Sequence, residues 1–171
     1  MPAIHPPLLP VQALRRVVRV ARLDGMVVLT LSGLFALACA AGHDELGTII
    51  GLLVAGAGAV ELHGVALLRH GAERGMRWLV MSQLLLLVVI LCYVGLLLTH
   101  IDTSTMKPLF TEAQRLQLAQ AGMNFEHFLR MIYIAGCAIV GVGTLIYQGG
   151  LAIFYHRRRA VVAEALKGSG H

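Results

Sequence analysis

The sequence predicts an all-α integral membrane protein: a four-transmembrane-helix bundle with an N-terminal amphipathic basic helix and both termini on the cytoplasmic side. Three observations predict it. Hydrophobic residues make up 57% of the 171 residues and charged residues only 13%, with a mean hydropathy of +0.76, well outside the soluble range. Four apolar stretches, near 25–42, 46–69, 78–100 and 126–155, match the ~20 helical residues that cross a hydrocarbon core of ~30 Å. Lys and Arg alternate between connections. Arg15, Arg16, Arg19 and Arg22 precede the first stretch, Arg69, Arg74 and Arg77 surround the second connection, and Arg157, Arg158, Arg159 and Lys167 follow the last stretch. The first connection, GHDEL, has no Lys or Arg, and the third has only Lys107 and Arg115 before Arg130. The positive-inside rule therefore puts both termini and the 70–77 connection in the cytoplasm, as for a bacterial inner-membrane protein.

Residues 1–24 read as a cytoplasmic segment. Its start, MPAIHPPLLP, is Pro-rich and lacks the small-residue cleavage site of a signal peptide. In VQALRRVVRVAR, which follows Pro10, Val11, Leu14, Val18 and Ala21 recur at three- and four-residue steps while Arg15, Arg19 and Arg22 take another face. Such a basic amphipathic helix is expected to lie on the anionic inner leaflet of the bilayer. No aromatic residues interleave with the arginines, so no nucleic-acid partner is expected.

Residues 25–155 form the transmembrane domain. Close approach of helices in lipid depends on small residues, and these are Ser32, Ala36 and Ala40 in the first span, Gly47, Gly51, Ala55 and Ala59 in the second, and Cys137, Gly141 and Gly149 in the fourth. The third span is Leu-rich and is expected to face lipid most. Trp78 and Tyr155 are placed as interfacial aromatics. Between the third and fourth spans, TEAQRLQLAQAG predicts a short periplasmic helix over 111–121, with Thr111 and Gln114 as a capping box and Gly122 closing it. Asn124 then caps the fourth span. Residues 156–171 are a basic tail whose final GSGH reads as a linker and tag remnant, so His171 belongs to no site.

The phrase AVELHGVALLRHG places a glutamate inside an otherwise apolar span. Glu61 lies eight residues before Arg69, or ~12 Å along a helix. Counted from the basic ends of the other spans, Gln83, Gln148, Tyr147, Ser32 and Thr30 reach a similar depth. These six residues predict an intramembrane polar layer in the inner half of the bilayer. Intramembrane ionisable groups are costly unless partnered, and they mark functional sites by default; the alternative is that the layer only fixes helix register. His63 points about 160° away from Glu61 on the same helix, so it is expected on the outer surface as an oligomer contact.

At the other rim stand His43, His100 and His127, with Asp44, Glu45, Asp102 and Glu126 nearby. Imidazoles and carboxylates converging there would suit a transition metal, and two of the histidines would suit haem. Neither cofactor is the leading expectation, since no ligand pair has i, i+4 spacing. In a ring of subunits, Asp44 and Glu45 would form an acidic outer rim that concentrates cations. Cys39, Cys92 and Cys137 sit singly within spans and read as packing residues.

The segment VELHGVALLRHG resembles the second-span phrase GxxELxGxxLLxxG of DoxX-like four-helix membrane proteins. The likeness covers about a dozen residues and implies the helical membrane fold, without a function. No Walker loop, GxGxxG, GxSxG, HExxH, CxxC or catalytic carboxylate pair is present, so no enzyme is expected. The leading functional expectation is a homo-oligomeric ion channel or transporter-like conduit. The alternatives are a non-conducting accessory or scaffold subunit of a larger membrane complex, and a metal- or haem-binding redox or sensory protein.

Overall fold

The computed structural model describes residues 10–168, so the Pro-rich start and the end of GSGH lie outside the described residues. The described chain is all-helical: α1 (Pro10–Ala41), α2 (Glu45–Arg69), α3 (Gly75–Thr99), α4 (Glu112–Gln120) and α5 (Phe125–Gly168), with a 3-10 turn at Ser104–Leu109. Four of these helices, α1, α2, α3 and α5, are long and apolar enough to cross a membrane. The turns at 42–44 and 70–74 are too short for anything but antiparallel neighbours. Around the bundle the helices follow the order α1, α2, α3, α5, and α5 closes onto α1.

Local chemistry sets the helix ends. The Asp44 carboxylate caps α2 by accepting the Gly47 N–H at 2.9 Å. Gly71, at φ 77°, closes α2 in the left-handed conformation, and the Ala72 N–H donates back to the Leu67 carbonyl at 2.9 Å. Thr111 and Gln114 form a reciprocal capping box on α4. Asn124 Oδ1 accepts the Glu126 N–H at 2.9 Å at the head of α5. The segment before α5 is pinned by Phe110, whose ring lies 5.6 Å from Phe125 and 6.1 Å from Phe128. Because α4 is short and buries no residue, its cap carries much of its order. Thr111→Ala is expected to weaken α4 by about 0.5–2 kcal/mol. Faster amide exchange over 112–120 with unchanged exchange in α2 would show it.

The basic segment is not a separate surface helix. α1 runs unbroken for 32 residues, or ~48 Å, and the arginines occupy its first half. The face made by Ala13, Val17 and Ala21 is fully buried, and Val17 and Ala21 pack in one cluster with Val65, Leu68, Met76, Leu79, Tyr155 and Val162. The reason is the length of α5. Its 44 residues span ~66 Å and supply a protein surface where a lipid surface was expected. Arg15, Arg16, Arg19 and Arg22 remain exposed on the opposite side of α1.

Small residues do bring helices together, chiefly between α1 and α2. A Cβ on Gly58 would stand 2.9 Å from the Leu29 backbone nitrogen and 3.0 Å from the Gly25 carbonyl oxygen. Gly51 meets Ala36 in the same seam, and Gly64 meets Gly75 between α2 and α3. A Cβ on Gly149, by contrast, would meet nothing within 4 Å beyond its own helix backbone, and the same holds for Gly136 and Gly143. It is α5, not Leu-rich α3, that leaves most of its apolar span uncovered. α3 has α2 and α5 on its two flanks, whereas α5 meets α1 through Tyr147, Tyr155 and Val162, all in its second half.

Candidate functional site

Inside the bundle, near its arginine-rich end, two carboxyl groups come together. Asp24 of α1 and Glu61 of α2 are 8% and 1% exposed. They share a hydrogen-bonding neighbourhood with Gln83 of α3 and two tyrosines of α5. The Tyr155 hydroxyl donates to Glu61 Oε1 at 2.9 Å. Tyr147 donates its hydroxyl to Asp24 Oδ1 at 2.8 Å, and the Gln83 amide donates to Asp24 Oδ2 at 3.2 Å. Asp24 is itself among the groups that interact with the Glu61 side chain. Neither carboxyl forms an ion pair: among the described residues those are Lys107–Glu126 and Arg115–Glu112, both at the other end.

Each member is positioned by its helix. Asp24 continues the buried face of α1 that runs through Ala13, Val17 and Ala21. Glu61 lies between Gly58, which touches α1, and Gly64, which touches α3. On α5, Gln148, Ala152, Tyr155 and Val162 make the buried stripe. Tyr147 sits beside that stripe and is 55% exposed, although its hydroxyl reaches Asp24. Toward the arginine-rich end the cluster is closed by Val17, Ala21, Leu68, Met76 and Val162. Gln83 Oε1 and Gln148 Oε1 are buried acceptors without a donor among the described residues.

The expected polar layer therefore divides. Glu61, Gln83 and Tyr147 belong to the network. Gln148 is buried, with no partner for its Oε1 among the described residues. Ser32 is buried, but its hydroxyl donates to the Val28 carbonyl of its own helix. Thr30 is exposed and takes no part. Two members, Asp24 and Tyr155, are absent from the expected layer. Asp24 stood at the edge of the basic segment, two residues from Arg22; its signal was the four-residue step from Val17 to Ala21, which carries the apolar face on to position 24. Tyr155, expected at the membrane interface, is completely buried.

The remaining candidates stand apart. His63 is exposed, with its ring 5.5 Å from Trp78 in an edge-on contact within the same chain. Asp44 is occupied in capping α2, and Glu45 is exposed in that helix's first turn. Around the three outer histidines no group of three or more ligating side chains converges among the described residues. His43 belongs to the α1–α2 turn, where it lines a pocket with Asp44 and Glu45. His100 ends α3, and His127 lines a separate cleft with Glu126 and Arg130. His43 stands apart at the α1–α2 turn, whereas the cleft that holds His127 is also lined by Thr99 and Ile101, the residues on either side of His100. Asp102, in the connection after α3, has its carboxyl held below the usual range by the Ser104 hydroxyl and N–H. The chain matches no protein-family model, no curated protein and no solved structure.

Proposed function

We propose that this chain is an integral membrane protein that takes up and releases protons, or a small monovalent cation, at the Asp24–Glu61 pair. In this reading it acts as an ion channel or transporter-like conduit and not as an enzyme. It is placed in a bacterial cytoplasmic membrane with both termini inside, and it assembles as a homo-oligomer. The observation that carries the reading is the pair itself: two neighbouring carboxyl groups, buried in the bundle, with tyrosine and amide donors but no basic partner. Like charges so placed repel strongly at low dielectric, and a proton or cation between them relieves that repulsion. The many exposed large apolar residues, among them Leu31, Leu52, Met81 and Ile146, support a lipid environment.

A second reading, a non-conducting accessory or scaffold subunit, draws on the apolar plug of Val17, Leu68, Met76 and Val162 between the pair and the arginine-rich end. Proton flux into liposomes separates the two. The wild-type protein is expected to carry flux, and Asp24→Asn or Glu61→Gln to lower it by about tenfold or more, the scale of losing one essential proton-transfer group. Thr30→Ala, on the exposed face, should leave flux unchanged. A folded wild-type protein that is silent in vesicles would remove the conduit and leave the scaffold.

A further inference from the structure

We propose that the groove between α1 and α2 at the arginine-rich end binds the headgroup of an anionic phospholipid. The groove holds about 560 Å³ and is lined by Arg15, Arg19, Arg22 and Arg69, with Leu23 and Met26 at its apolar side. Three of the arginines follow one another on one face of α1 at steps of four and three residues, and the fourth is the last residue of α2. No carboxylate lines the groove, and none of the four arginines is ion-paired with a described residue. Four unpaired guanidinium groups around one opening lower their mutual repulsion by taking an anion, and the planar guanidinium fork matches phosphate oxygens in bidentate fashion. Asp24, two residues beyond Arg22, does not compete, because it is buried on the opposite side of α1.

The order of the lining identifies the anion as a lipid. From the arginines, the surface of α1 continues through Leu23, Met26 and Val27, all about half exposed or more. A phosphate held by the guanidinium groups would therefore have its acyl chains laid along this apolar strip, as inner-leaflet headgroup recognition requires. A free phosphate would use the arginines and gain nothing from the strip. The proposal rests on the bundle's being inserted in a bilayer, and it is independent of what the acidic pair does.

The test measures binding of phosphatidylglycerol and of phosphatidylcholine to the purified full-length chain by native mass spectrometry. Two charge-matched triple variants are compared. One is Arg15→Gln/Arg19→Gln/Arg69→Gln in the groove. The other is Arg74→Gln/Arg77→Gln/Arg157→Gln, exposed residues near the same end. The groove variant is expected to bind phosphatidylglycerol about 100-fold more weakly, and the control to change by no more than about threefold. Equal losses in both variants would reduce the effect to diffuse attraction and overturn the proposal. So would equal affinity for the two lipids, or displacement of phosphatidylglycerol by millimolar inorganic phosphate. Retention in membranes after alkaline carbonate washing tests insertion separately, so a failure of that premise is told apart from a failure of the site.

Discussion

Tyr155→Ala is expected to lower unfolding stability by about 3–5 kcal/mol, the range for truncating a large buried aromatic residue. Tyr155 has no exposed surface. Its ring belongs to the cluster that joins α1, α2, α3 and α5, and its hydroxyl is bonded to Glu61. Truncation would leave a cavity between four helices and remove a hydrogen bond from a buried carboxyl at the same time. Tyr155→Phe keeps the ring and loses only the hydroxyl, so it should cost about 1–2 kcal/mol. Reversible unfolding in mixed micelles measures both. If alanine proved no worse than phenylalanine, the ring would not be part of the core described above. Flux and stability should also separate: phenylalanine at 155 leaves both carboxyl groups in place, whereas Glu61→Gln removes one.

The second large effect is expected at Gly58. Leucine there must push its Cβ against backbone atoms of α1, 2.9 Å from the Leu29 nitrogen. Backbone cannot step aside as a flexible side chain can, so α1 and α2 would have to separate. The cost should fall at the upper end of the about 1–3 kcal/mol typical of overpacking. Gly143→Leu is the matched control, since a Cβ at Gly143 would meet nothing within 4 Å beyond its own helix backbone, and it should change stability little. Unfolding in mixed micelles would show the contrast, and equal effects at the two positions would place the α1–α2 seam elsewhere. Because Asp24 and Glu61 face each other across this seam, Gly58→Leu should also reduce proton flux in the liposome assay.

Much of the fold was legible because the bilayer restricts the possibilities: apolar length and short polar turns leave little besides four antiparallel helices. The helix caps at Thr111 and Asn124 were legible for a local reason, as each is settled within a few residues. The site was half legible. Glu61 and Gln83 could be found by counting residues from the arginines, since depth in a membrane is a one-dimensional quantity. Asp24 could not be found that way, because dividing the chain at residue 24 cut one helix into a surface piece and a span. Tyr155 was hidden by a similar assumption. Aromatic residues near a membrane boundary are commonly anchors, and only the continuation of α5 past that boundary, beside the first half of α1, turns this one inward. Pairings between distant helices, such as Tyr147 with Asp24, depend on rotation about helix axes, which periodicity constrains only loosely.

The bundle is unevenly filled. Its large, completely buried side chains, among them Tyr155, Leu68, Met76, Leu79 and Val162, lie toward the arginine-rich end, with Leu129 the exception. The opposite half is packed with small groups such as Ser32, Ala36, Gly51 and Cys137. Mechanically, this makes the molecule a set of rods clamped at one end. Thermal bending of such cantilevers grows with distance from the clamp, so the greatest sway is expected where α5 begins, away from the close α1–α2 seam. The carboxyl pair sits just inside the clamp, where a small change in helix angle produces the widest displacement at the free tips.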